Sequence, residues 1–170
     1  TIDVDEGNPS QFLRSEVTFS FYRPITKKLR TAATVRTTAM AGNKEITDIP
    51  IHMRLFNGGA NSVRSFDERE MGSKSKSGTP LGGTLSQVFS VELSYELASN
   101  FELALFGDAG SLSTTKDNLF ASPTDLRYAV GLGLRYKLPV GPLRVDYGFN
   151  PDRRAGEPAG ALHITFGFAF

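Results

Sequence analysis

Residues 127–138, RYAVGLGLRYKL, alternate without a break. Tyr128, Val130, Leu132, Leu134, Tyr136 and Leu138 fall on one side of an extended chain, and Arg127, Ala129, Gly131, Gly133, Arg135 and Lys137 on the other. A strict period of two marks a strand, because successive side chains of a pleated chain point to opposite faces. The pattern recurs in 143–149, LRVDYGF, where Leu143, Val145, Tyr147 and Phe149 oppose Arg144, Asp146 and Gly148. In the last residues, ALHITFGFAF, Leu162, Ile164, Phe166, Phe168 and Phe170 oppose His163, Thr165, Gly167 and Ala169. In 85–97, Leu85, Phe89, Val91, Leu93, Tyr95 and Leu97 oppose Ser86, Ser90, Glu92, Ser94 and Glu96, and weaker alternation runs through 12–22, 29–39 and 101–109. The pattern predicts about seven strands, each of roughly the ~9–11 residues that cross a membrane.

The polar rows carry the information about class. A soluble sandwich turns that face to water, where long charged side chains are at ease and glycine weakens a strand. Here the polar rows mix glycine, alanine and serine with arginine, glutamate and aspartate, while the apolar rows are rich in aromatics. This is the pattern of an antiparallel transmembrane β-barrel with a polar lumen and lipid outside. A soluble all-β sandwich with a solvated face is the alternative reading.

Connection lengths add an independent constraint. RPITKK (23–28), LASN (97–100) and PVGP (139–142) are short, whereas 40–84, 110–126 and 150–160 are long. Short and long alternate strictly, as periplasmic turns and extracellular loops do in outer-membrane barrels. The same parity puts IPIHMRLF (49–56) inside the long loop 41–83 rather than in a crossing, and Pro50 agrees. Seven strands cannot close antiparallel, and bacterial barrels of one chain have even counts. The expectation is therefore a piece of a larger barrel whose missing strands pair both edges, with residues 1–5 as candidates for an eighth strand.

Composition changes this picture little. Lys and Arg number 19 against 18 Asp and Glu, a net charge of +1 that gives no reason to expect nucleic acid as a partner. The sequence has no cysteine, which removes disulfides and thiolate chemistry. No charged segment followed by an apolar one opens the chain, so a signal peptide is expected to lie upstream or to have been removed. No stretch approaches the ~18 apolar residues of a membrane helix, a test that a β-barrel also passes.

One long polar excursion, NGGANSVRSFDERE (57–70), interrupts the strands. The motifs RLFNGGANSVRSF, PLGG (80–83), SVEL (90–93) and LFGDAG (105–110), with an aromatic last strand, resemble the C-terminal barrel half of the BamA/TamA family of outer-membrane assembly proteins. The resemblance covers most of residues 12–170 and implies the last part of a barrel of about sixteen strands, within the even-numbered range of such barrels. It implies a loop that carries a Val-Arg-Gly-Phe/Tyr signature and folds back into the lumen, where its arginine meets acids on the wall. Carried over, the loop motif is Gly58, Gly59, Val63, Arg64, Ser65 and Phe66, and the wall acids are Glu92 and Asp108. Ser65 departs from the family glycine and puts the loop-tip turn in question. The resemblance also makes Phe166, Gly167, Phe168 and Phe170 a terminal signal and seam, with Gly167 at the position where the last strand kinks.

The residues argue the same way without the family. Glu92 and Asp108 both fall on polar rows, and an acidic lumen patch needs a cation. Arginine presents a planar fork of donors that bridges two carboxylates where lysine does not. Gly58 and Gly59 allow a sharp inward turn. A lone loop arginine ordinarily sits in water; two inward acids on the next two strands reverse that expectation. Gly131 and Gly133 lie inside a strand, so lumen packing accounts for them better than a dinucleotide loop. His52 and His163 lack the spacing of a zinc site and read as ordinary polar-face residues. No nucleophile elbow and no phosphate loop is present, so neither an enzyme nor a cofactor or metal is expected.

The function implied by the resemblance is folding and insertion of β-barrel proteins into the outer membrane through a lateral seam. The implied partners are the lipid bilayer, unfolded barrel clients, the rest of the barrel, upstream periplasmic POTRA repeats absent from this sequence, and accessory lipoproteins. A secretion pore of related design shares the motifs, and a small ligand-binding barrel would need an apolar interior and a polar exterior.

Overall fold

The computed structural model describes residues 12–42, 46, 49–114, 126–139 and 141–167. Its strands are β1 (Phe12–Pro24), β2 (Leu29–Gly42), β3 (Leu85–Ala98), β4 (Phe101–Ser113), β5 (Arg127–Tyr136), β6 (Leu143–Phe149) and β7 (Gly160–Phe166). They form one seven-stranded sheet in chain order, and every neighbouring pair is antiparallel. Antiparallel order puts the short turns at one end of the sheet and the long connections at the other. IPIHMRLF is part of the long loop: Ile51–Met53 form a single 3-10 turn and Leu55 bridges to Gly83. That loop starts slightly later than the expected 41–83, because Met40, Ala41 and Gly42 still pair with Arg14, Leu13 and Phe12. The candidate eighth strand at residues 1–5 lies outside the described residues.

The faces follow the alternation. On β5, Arg127, Ala129, Gly131, Gly133 and Arg135 are buried, while Val130, Leu132 and Leu134 are exposed. On β6, Arg144, Asp146 and Gly148 are buried. Leu85 departs from its row and is buried beside the loop base. Apolar side chains thus point outward in register. Near the short-turn end lie Tyr95, Phe101, Tyr136 and Phe166; Phe101 pairs with Tyr136, and Leu143 pairs with both Tyr136 and Phe166. The Phe101 and Tyr136 ring centroids are 4.7 Å apart. Outward aromatics at strand ends are the interfacial girdle of a membrane barrel. A polar inside and an apolar outside are the reverse of what a small ligand-binding barrel requires.

The buried apolar clusters lie between the loop and the sheet rather than in a sheet-on-sheet core. Val63, Phe66 and Met71 cluster with Ala129 of β5, and Met40, Ile49 and Leu55 form a second cluster with Phe12 and Leu112 against it. The loop packs on the polar face of the sheet, and hydrophobic burial in these clusters helps to hold it there.

Candidate functional site

The loop is a stalk and a tip. Backbone bridges at Leu55–Gly83 and Asn57–Met71 make the stalk, and the Asn57 side chain ties it to the wall by donating to the Ser111 carbonyl at 2.7 Å. At the tip, Gly58 and Gly59 have φ of +99° and +98°, a region other residues enter only with strain. An added Cβ on Gly58 would overlap the Asp67 carbonyl, so the turn also needs the missing side chain. The Gly59 N–H then donates to the Phe66 carbonyl at 2.9 Å and closes the tip around VRSF.

This geometry drives Arg64 into the wall. The residue is 1% exposed, its Nη1 donates to Glu92 Oε2 at 2.9 Å, and Nη2 and Nε grip the two oxygens of Asp108 at 2.8 and 2.9 Å. The Arg64 backbone N–H adds a bond to Asp108 Oδ2 at 3.1 Å. Below the guanidinium lies the Phe106 ring, 3.4 Å from Cζ to centroid, so cation–π attraction covers the face that makes no hydrogen bonds. Burial lowers the Arg64 pKa, but the bonds and charges of Asp108 and Glu92 outweigh it and hold the group above its ordinary value.

Sequence reasoning placed Arg135, Arg144 and Asp146 on the polar rows without assigning them to the site. Arg135 Nη2 donates to Glu92 Oε2 at 2.9 Å, and its Nη1 contacts Asp146 Oδ1. Arg144 Nη2 donates to Asp146 Oδ2 at 2.8 Å and reaches back to the loop tip at the Ala60 carbonyl, 3.3 Å away. Arg64, Arg135 and Arg144 against Glu92, Asp108 and Asp146 form a buried cluster whose charges balance. Balance matters here, because an unpaired charge in such a place costs several kcal/mol, ~3–5 by partner deletion.

Glycines on the lumen rows mark where this cluster and the tip are seated. A Cβ on Gly131 would run into the Phe106 ring, one on Gly133 into the Asp146–Arg135 contact, and one on Gly110 would lie 2.6 Å from a Val63 methyl. The lumen-packing reading of Gly131 and Gly133 thus acquires named neighbours. Ser65 is fully buried, is not among the positive-φ residues, and its hydroxyl donates to the Tyr128 carbonyl at 2.7 Å. The tip therefore needs no glycine at 65.

At the other end of the chain, the last β6–β7 ladder pair among the described residues is Leu143–Phe166. Gly167 follows with φ of +109°, and its N–H donates to the Pro142 carbonyl at 2.8 Å. An added Cβ there would meet nothing within 4 Å, so conformation and not crowding requires glycine. Phe166 points outward, whereas Phe168 and Phe170 lie outside the described residues. His163, read as an ordinary polar-face residue, contacts the loop tip.

An antiparallel sheet with lipid-type rows outside, a balanced charge cluster inside and a loop folded onto it defines a segment of an outer-membrane β-barrel. The chain belongs to the Omp85 superfamily, whose domain matches residues 3–170. It is 28% identical over 169 residues to outer membrane protein assembly factor BamA of Nitratidesulfovibrio vulgaris, covering 96% of this chain and 21% of that protein. It is 32% identical over 124 residues to the chloroplastic outer envelope protein 80 of Arabidopsis thaliana, covering 69% of this chain and 16% of that protein. The crystal structure of BamA from Haemophilus ducreyi lacking POTRA domains 1–3 shares the fold with a TM-score of 0.71 at 21% identity, over 92% of this chain and 34% of that one. The chain spans about a fifth or less of the length of these curated relatives. Its place is the outer membrane of a Gram-negative-type bacterium or of an organelle derived from one.

Proposed function

We propose that the protein to which this segment belongs folds and inserts β-barrel proteins into the outer membrane, using the edge at β7 as a lateral seam. The observation that carries this reading is the end of β7, where among the described residues the ladder with β6 runs no further than Phe166 and Gly167 takes a φ of +109°. Unpaired backbone in lipid costs several kcal/mol per group, so an edge that presents itself to an incoming strand lowers the barrier to insertion. The work is templating and local disturbance of the bilayer, with no bond made or broken, and so is not enzymatic. The partners in this reading are unfolded barrel clients, the remaining strands of the same barrel, POTRA repeats and accessory lipoproteins. Arg64, Glu92 and Asp108 keep the loop seated in the lumen while the seam works.

The test uses the full-length protein in lipid vesicles and a fluorescently labelled unfolded barrel as client. Valine does not hold φ of +109° without strain, so Gly167→Val is expected to straighten the terminal strand, close the seam and slow client insertion severalfold at an unchanged unfolding temperature. Insertion at the parental rate with a demonstrably straight strand would remove the seam from the mechanism. Export of a soluble protein by the same vesicles, without client insertion, would assign the secretion-pore reading instead.

A further inference from the structure

Arg64 binds β3 and β4 with its side chain, but its backbone lies over a different part of the barrel. Its carbonyl is 3.1 Å from His163 Nε2 of β7. A carbonyl only accepts, so the imidazole there carries its proton on Nε2. The same peptide rests on Gly148 of β6, where an added Cβ would lie 2.5 Å from the Arg64 carbonyl carbon and 3.0 Å from the Ser65 nitrogen. Two residues along β6, Asp146 is the cross-strand partner of His163, so the charge cluster ends beside the imidazole.

His163 is well placed to be the link. The lumen-side residues of β7 alternate as Ala161, His163 and Thr165. Ala161 has no side-chain polar atom, and Thr165 Oγ1 makes no hydrogen bond among the described residues. Among the described residues β7 pairs only with β6, so its position depends more on side-chain ties than that of an inner strand.

We propose that His163 couples the loop tip to the terminal strand, so that a displaced β7 releases the tip and a seated tip holds β7 in place. This deepens the seam reading, since β7 is the strand that moves there, but the coupling is a property of the resting barrel and is measurable without any client. Coupling of this kind is reciprocal.

Val63 is 0% exposed and the sequence has no cysteine, so Val63→Cys reports release of the tip. In the full-length protein in vesicles, with cysteine confined to that position, His163→Leu is expected to speed labelling by a membrane-impermeant maleimide about tenfold, the size of effect when a buried carbonyl loses its donor. His163→Gln keeps an N–H donor and should restore the parental rate to within about twofold. A second measurement separates coupling from simple packing. Ser65→Ala loosens the tip at β5, a strand that does not pair with β7, and should speed amide exchange in 161–166 when His163 is present but add nothing in the His163→Leu background. Should His163→Leu fail to assemble, Gly148→Ala attacks the same peptide from β6 and should give the same faster labelling. Labelling unchanged in His163→Leu, glutamine as damaging as leucine, or Ser65→Ala acting equally in both backgrounds would each overturn the coupling. Because no client is present, these outcomes stand apart from the insertion test.

Discussion

Replacing Arg64 by alanine is expected to lower the stability of the folded barrel by about 3–5 kcal/mol, the cost of leaving one partner of a buried ion pair uncompensated. The partner left behind is Asp108. Glu92 keeps its bond to Arg135, and Asp146 keeps both Arg135 and Arg144, but among the described residues Arg64 is the cation that Asp108 contacts. Removing Asp108 as well should therefore recover part of the loss, and the double variant should be more stable than the sum of the single changes by about 0.5–3 kcal/mol. Arg64→Lys should not rescue, because one ammonium does not grip both oxygens of Asp108 and also reach Glu92. Arg69→Ala is the control: Arg69 is exposed and stacks on Phe56 at 3.8 Å, an arrangement worth about 1 kcal/mol or less. Urea unfolding in lipid vesicles, followed by circular dichroism, measures each of these variants. Equal midpoints for Arg64→Ala and Arg69→Ala would mean that Arg64 does not hold the loop.

The faces of the strands were legible because two constraints act on the same period. The pleat sends neighbouring side chains to opposite sides, and lipid accepts only apolar groups on one of them. Turn parity was legible for a similar reason, since antiparallel order forces short and long connections to opposite ends. Arg64 stood out through the motif it shares with a family, and Glu92 and Asp108 through their place on polar rows. What the sequence does not display is which lumen residues a loop reaches after folding inward. Asp146 lies 82 positions after Arg64, and their approach to 3.8 Å depends on strand stagger and sheet curvature, which are properties of the whole sheet. The contact of His163 is equally invisible in the local pattern, since its partner is a backbone carbonyl 99 positions away. One local signal was present. Glycine is costly in strands, so its recurrence at 110, 131, 133 and 148 marked places where something else needed the room.

Leu132→Arg is expected to reduce stability in the bilayer by about 2–4 kcal/mol, the cost of an arginine on the lipid face near the midplane. Leu132 sits at the middle of β5, is 53% exposed, and has Leu105 and Tyr147 as cross-strand partners, both outward-facing. An arginine there has apolar or aromatic cross-strand partners and must snorkel past them. The cost should fall along the strand toward the short turn, so that Leu138→Arg, near the girdle aromatics, costs about 0–1 kcal/mol. Gly133→Ala, one residue from Leu132 but on the other face, should also destabilise, by about 1–3 kcal/mol, through a different cause: its Cβ would collide with the Asp146–Arg135 contact. The two mechanisms separate when bilayer thickness is varied. The penalty at 132 comes from lipid and should grow in thicker bilayers, whereas the penalty at 133 comes from the lumen and should stay constant. A Leu132→Arg barrel as stable as Leu138→Arg in every bilayer would show that this row does not face lipid, and the transmembrane reading of the sheet would fall with it.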